Sequence, residues 1–251
     1  MQRYFIELAY LGTNFSGWQI QSNANTVQAE LERALSTILR EDITTTGAGR
    51  TDTGVHASFF IAHFDSGIKN LQWDQSILMS LNDVLPRDIA VKEIFAVIPE
   101  AHARFSATSR TYQYHIGRTK NPFHNETCWY FRSHLDVDKM KLATDMLLNY
   151  SDFSSFSKTG SDVKTHICKI SSVLWEEKEN QFVFTIRADR FLRNMVRAIV
   201  GTLVEIGRGR ITPNEFADII EAKNRSAAGP SAPPQGLFLT NIEYPVELFI
   251  E

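Results

Sequence analysis

Residues 3–39 read RYFIELAYLGTNFSGWQIQSNANTVQAELERALSTIL, and within them the apolar period changes once. Tyr4, Ile6, Leu8 and Tyr10 alternate with their neighbours, which is the period of a half-buried strand. Val27, Leu31, Ala34, Leu35, Ile38 and Leu39 then recur at helical spacing behind Asn25 or Thr26, either of which can cap the helix. That stripe needs a sheet to cover, so the chain opens as a strand followed by a packed helix. Next come the β-branched run Ile43 to Thr46, a Gly-rich turn and Val55 to Phe64, which read as two strands joined by a loop. A helix from about Asp74 to Val84 stops before Pro86, and Ile89 to Ile98 is strand again. The first hundred residues therefore spell β-α-β-β-α-β, the split βαβ arrangement.

The second part repeats that order: strand 109–117, helix 136–149, strand 164–176, strand 180–188, helix 192–206 and strand 236–243. An extra helix is expected near 212–223, with Pro213 in its first turn behind a Thr212 cap. Asn224 to Gly236, rich in Ala, Ser, Pro and Gly, reads as an irregular loop. The expected class is α+β, with halves 1–100 and 101–251 sharing a mainly antiparallel sheet. Ligands usually bind where such halves meet, so a cleft is expected there.

With 251 residues, 43% apolar and 22% charged, the chain can bury a full core, which excludes disorder and collagen-like repeats. Arg3 and Glu7 interrupt what would be the apolar part of a signal peptide, and no stretch approaches the ~20 apolar residues of a membrane span. A cytoplasmic protein is expected. Cys128 and Cys168 lack metal or redox spacing and read as two reduced thiols.

The net charge of −3 points to no polyanion, but the charge is uneven. Residues 101–134 hold five Lys or Arg against Glu126 alone, and residues 187–210 hold six Arg against Asp189 and Glu205. Each segment carries +4, so removing these eight charges from −3 leaves −11 for the remainder. A basic surface can therefore coexist with an acidic body. Aromatics are interleaved in the first segment (Phe105, Tyr112, Tyr114, Phe123, Trp129), and stacking on an unpaired base is typical of RNA recognition.

Gly47-Ala48-Gly49-Arg50-Thr51-Asp52-Thr53-Gly54-Val55-His56-Ala57 is the least ordinary segment. Its glycines let the backbone approach a partner closely, yet a dinucleotide fingerprint would need a third Gly at Asp52 and a following helix. One reading is a long hairpin loop with Asp52 bonding its own backbone. The other is a partly desolvated carboxylate kept ionised by a cation, which is how a nucleophile or base is built. In Asp189 to Arg197, Arg193 and Arg197 fall i, i+4 beside the core stripe of the helix expected at 192–206, either as solvated surface or pointing into a cleft. A general-base hydrolase pairing Asp52 with a histidine such as His56, His63, His102 or His115 is a competing enzyme class. A noncatalytic RNA-binding module is the non-enzymatic one.

FSGWQIQ (15–21), GAGRTDTGVHA (47–57), HARFSA (102–107), RTYQY (110–114), FLRNMVRAIVG (191–201) and AGPSAPPQGLFL (228–239) stand in one order along almost the whole chain. Together they resemble the tRNA pseudouridine synthase A family. The resemblance implies two ferredoxin-like halves, no metal or other cofactor, a homodimer, and a tRNA substrate modified in the anticodon stem-loop, conventionally at positions 38, 39 and 40. It also implies that Asp52 is the catalytic aspartate, Arg197 its ion-pair partner and Tyr112 the active-site tyrosine. Arg50 would bind RNA near the target and Leu237 would pack against the base, while Arg104 and Arg193 are the further candidate RNA contacts. Departures are few: Leu11 replaces a usual Asp or Asn, Thr111 and Gln113 replace arginines beside Tyr112, and Ser106 replaces a frequent Asp.

Overall fold

The structure is a computed structural model that describes residues 1–160 and 164–250. It divides into two compact units, Met1–Ser109 with Phe238–Glu251, and Arg110–Leu237.

The first unit is built on β1 (Gln2–Tyr10), β3 (His56–Ser66) and β4 (Ile89–Val97), with β1 central and antiparallel to both neighbours. The two-residue strand β2 (Thr46–Gly47) pairs with β3 at His63 and Ala62. The last strand, β9 (Leu237–Glu243), lies parallel to β3 where His56 and Ala57 meet Phe238 and Leu239. Helix α1 (Val27–Leu39) starts at Thr26, whose hydroxyl accepts from the Ala29 amide, and buries Val27, Leu31, Ala34, Leu35 and Leu39. Beside it packs α2 (Gln75–Val84), capped by Asp74.

The run Ile43 to Thr46 departs from expectation, because only Thr46 joins the sheet. Side chains of α1 take the backbone donors instead: Ser36 Oγ accepts from Ile43 N, and Glu32 Oε1 accepts from both the Thr45 amide and hydroxyl. The expected cut near residue 100 also differs from the observed division. Ala101 and Ala103 are completely buried, held by bonds from Arg3 Nη1 to Ala101 O and from Ala103 N to His63 Nδ1. The end of the chain likewise belongs to the first unit, where Tyr244 and Phe249 pack on Phe5. Phe5 is thus buried on the face opposite Tyr4, Ile6 and Leu8, and β1 is covered on both sides.

The second unit pairs β8 (Gln181–Ala188) antiparallel with both β5 (Ser109–Gly117) and β7 (Ile170–Lys178), and β6 (Trp129–Tyr130) adds to β5 in parallel. Helix α3 (Val137–Met146) packs on α4 (Met195–Gly207), on α5 (Pro213–Glu221) and on β7. A reciprocal capping box between Thr212 and Glu215 starts α5. Strand β7 starts at Ile170 rather than 164, since Cys168 N bonds Ser151 O and Asp189 Oδ1 accepts from Lys169 N, which commits this stretch to loops. Cys128 and Cys168 are free and buried, and burial pushes their thiols up to about 11 and about 12. Among the described residues no helix is long and apolar enough to cross a membrane.

Candidate active site

In the first unit the loop carrying Arg50 and Asp52 is locked against residues 10–18. Thr51 is buried, its hydroxyl bonded to the Tyr10 hydroxyl at 2.9 Å, and its carbonyl accepts from Trp18 N at 3.4 Å. Gly54 N donates to Phe15 O, and Val55 N donates to the main-chain oxygen of Asp52 at 3.1 Å, closing a turn around the aspartate. Gly17 has φ +89°, and a Cβ there would stand 2.3 Å from Thr51 O. A side chain is therefore excluded twice, by strain and by contact with main chain. FSGWQIQ and GAGRTDTGVHA, 26 residues apart in sequence, form one structure in which Asp52 is half-buried and Arg50 exposed.

His56 is completely buried, and its Nδ1 accepts from Gly12 N at 2.9 Å. That bond holds the loop's far end and gives His56 a structural duty where a hydrolase would need a base. Arg104 stands exposed on a separate turn, 102–106, of the same unit. Beneath that turn, buried His63 accepts from Ala103 N through Nδ1, and His102 Nδ1 accepts from the amides of Arg104 and Phe105. Burial first, then the charges of His102 and Arg3, push His63 down to about 4, with Asp65 opposing.

The folded value lies below the ordinary 6.5, so the stability His63 contributes is complete above pH 6.5 and is lost as pH falls toward 4. Between pH 7.5 and 5 this loss is about 2 kcal/mol. Denaturant melts at the two pH values should show it, and His63→Asn, whose amide oxygen replaces Nδ1 as acceptor, should flatten the difference. An unchanged pH dependence in His63→Asn would contradict the assignment.

In the second unit Tyr112 lies on β5 opposite Ile186, half-buried, with its ring edge-on to Phe191 at 5.1 Å. Two residues on and on the same face, Tyr114 is completely buried and donates its hydroxyl to Pro233 O at 2.7 Å. Burial raises its phenol well above the ordinary range. The segment 228–236 is fixed to α4 as well. Arg197 Nε donates to Ala232 O at 2.7 Å, Ala232 N returns a bond to Arg197 O at 2.9 Å, and Asn194 Nδ2 donates to Ser231 Oγ. Gly201 allows the approach, because a Cβ there would overlap the Pro230 carbonyl. This supposedly irregular loop contains short 3-10 turns at Arg225–Ala227 and Pro234–Gly236, and Leu237 follows the second of them, buried.

Arg193 requires a correction. Helix α4 starts at Met195, not 192, because Asn194 takes the left-handed conformation at φ 66°. Arg193 is therefore outside the helix, its carbonyl accepting from Lys158 N, and it does not share an i, i+4 face with Arg197. The glycines that let these two segments pack, Gly17 in FSGWQIQ and Gly201 in FLRNMVRAIVG, stand in motifs visible in the sequence, but their duties depend on contacts that only the fold reveals. Two cavities of the second unit, about 360 and 480 Å³, are lined by residues such as Asn121, Trp129 and Gln181 or Phe131, Arg132 and His134, and by none of the site residues above. Among the described residues no group of three or more His, Cys, Asp or Glu is placed to hold a metal ion.

A sequence profile described as tRNA pseudouridine synthase matches residues 8–106 and 144–245. Over 250 residues the chain is 54% identical to tRNA pseudouridine synthase A of Bacteroides fragilis, covering 99% of each chain. It is 52% identical over 255 residues to the enzyme of the same name from Parabacteroides distasonis, covering 99% of this chain and 98% of the relative. A more distant relative of that name, from Thermoanaerobacter pseudethanolicus, is 40% identical over 246 residues and is covered completely by 97% of this chain.

Proposed function

The chain belongs to the tRNA pseudouridine synthase A family and is an isomerase of uridine in tRNA; on that premise we propose that it acts in the anticodon stem-loop, at positions 38, 39 and 40, with Asp52 as nucleophile. The reaction breaks the N1–C1′ bond, turns the uracil and joins C5 to C1′. The C5 proton leaves, N1 gains one, and there is no net redox change. An ionised carboxylate serves this chemistry by attacking C6 of the ring or capturing C1′. Arg197 is its ion-pair partner, since a planar guanidinium fork can bind both oxygens of a carboxylate.

Tyr112 stacks on the extruded base and moves the C5 proton through its hydroxyl. Leu237 packs against the base, and Arg50, Arg104 and Arg193 contact RNA. The protein works as a cytoplasmic homodimer in which each chain has two ferredoxin-like halves, the first carrying the aspartate loop and the second Tyr112 and Arg197, without a metal or other cofactor. The observation that carries the reading is the fixation of the residues flanking Asp52, Thr51 by Tyr10 and Trp18 and Gly54 by Phe15, since a nucleophile must be held in place before substrate arrives. Chemical mapping of pseudouridine in tRNA from a strain lacking this protein tests it. Uridine is expected to remain unmodified at 38, 39 and 40, and a full complement of pseudouridine there would overturn the assignment.

Arg197→Lys should remain folded and lose most activity. Lysine lacks the Nε–H that bonds Ala232 O and offers a point charge where arginine offers a planar fork. Wild-type turnover in this variant would mean that only charge matters. Removing a phosphate-contacting cation should also reduce the log–log salt slope of tRNA binding by about 0.7–0.9. Arg50, Arg104 and Arg193 are to be replaced singly in an Asp52→Asn background. Arg50 is expected to give the clearest change, and unchanged slopes in all three would move the RNA to another surface.

A further inference from the structure

Phe105 is 75% exposed on a turn that is otherwise tightly built. His102 N donates to Ser106 Oγ and Ser106 N donates to His102 O, while His102 Nδ1 accepts from the amides of residues 104 and 105. Ala103 N is anchored below on buried His63, and Tyr244 donates its hydroxyl to Ala103 O. The turn thus holds its backbone with few contributions from the Phe105 side chain. The ring contacts His102 at 4.4 Å between centroids and has the Arg104 guanidinium 5.5 Å from its centre. A large apolar ring kept in water on a rigid support forgoes the free energy of burial unless a partner covers it.

We propose that Phe105 is a nucleobase-stacking residue for tRNA, with Arg104 beside it to neutralise the adjoining backbone; this rests on the reading of the chain as a tRNA-binding enzyme. Every base has a π face, so a fixed aromatic ring with a neighbouring cation suits an unpaired nucleotide whatever its identity. A second protein chain fits less well. A stable protein interface needs about 800 Å² on each partner with an apolar centre. Here one apolar side chain stands between exposed Arg104 and the partly exposed polar residues His102 and Ser106.

The test is direct binding of fluorescently labelled tRNA to the full chain across a salt series, so it is independent of turnover. Phe105→Ala is expected to weaken binding about tenfold at every salt concentration, with a log–log line parallel to wild type because no cation is lost. Phe105→Leu, which keeps apolar bulk and lacks a π face, should behave like Phe105→Ala. Phe105→Trp should restore affinity, and the emission of the introduced indole should be quenched when tRNA is added. Equal affinity of wild type and Phe105→Ala overturns the inference. A change of sedimentation mass with tRNA affinity intact also overturns it, in favour of a protein contact. Failure of the wild-type chain to bind tRNA would overturn the proposed function and this inference together.

Discussion

Asp52→Asn is expected to bring uridine isomerisation to background while tRNA affinity changes by less than about tenfold, or 1.4 kcal/mol. The substitution keeps the size of the side chain and removes the charge on which both nucleophilic routes depend. It also spares the loop. Bonds formed by the main-chain atoms of Thr51, Asp52 and Gly54 and by the Thr51 hydroxyl hold this segment, and the substitution leaves them in place. A folded, tRNA-binding, inactive protein is therefore the expected phenotype, and substantial residual turnover would falsify the assignment of Asp52.

Gly17→Ala should be nearly as damaging by a different route. Its Cβ would stand 2.3 Å from the Thr51 carbonyl oxygen and 3.2 Å from the Asp52 carbonyl carbon, at a φ of +89°. The obstructing atoms are main chain, so no rotamer change relieves the contact. Strain of about 1–2 kcal/mol for the backbone adds to about 1–3 kcal/mol for overpacking. Whatever part of this is relieved by displacing the loop moves the aspartate, and a misplacement of about 1 Å costs on the order of a hundredfold in rate. Gly49→Ala, in the same loop as Asp52, supplies the control, since a Cβ there meets nothing within 4 Å. Thermal melts and single-turnover rates of the two variants should separate sharply. Wild-type behaviour of Gly17→Ala would mean that the loop is not held as described.

The elements that announced themselves in the sequence are those whose signal is local. The alternation of β1, the stripe and Thr26 cap of α1, the extent of α2 up to Pro86 and the Thr212 cap of α5 depend on residues within a turn or two. Ile43 to Thr46 misled because β-branched residues signal an extended chain, whereas pairing was decided by Ser36 and Glu32 of a neighbouring helix. Phe5 gave no sign of burial, since its covering residues Tyr244 and Phe249 lie at the other end of the chain. The supposed helical face of Arg193 and Arg197 failed on one backbone angle at Asn194, a residue type that tolerates the left-handed region. The motifs singled out the segments 15–21, 47–57 and 191–201 but not what holds each of them. That Gly17 and Tyr10 brace the aspartate loop, and that Ala232 holds Arg197, follows from contacts distant in sequence.

Release of tritium from tRNA carrying C5-tritiated uridine tests the central claim most directly, because that bond breaks only when the base is rejoined through C5. Wild-type protein should release tritium in step with the appearance of pseudouridine in the anticodon stem-loop, and Asp52→Asn should release none above background. Absence of release by the wild type, or equal release by the two proteins, would contradict the account.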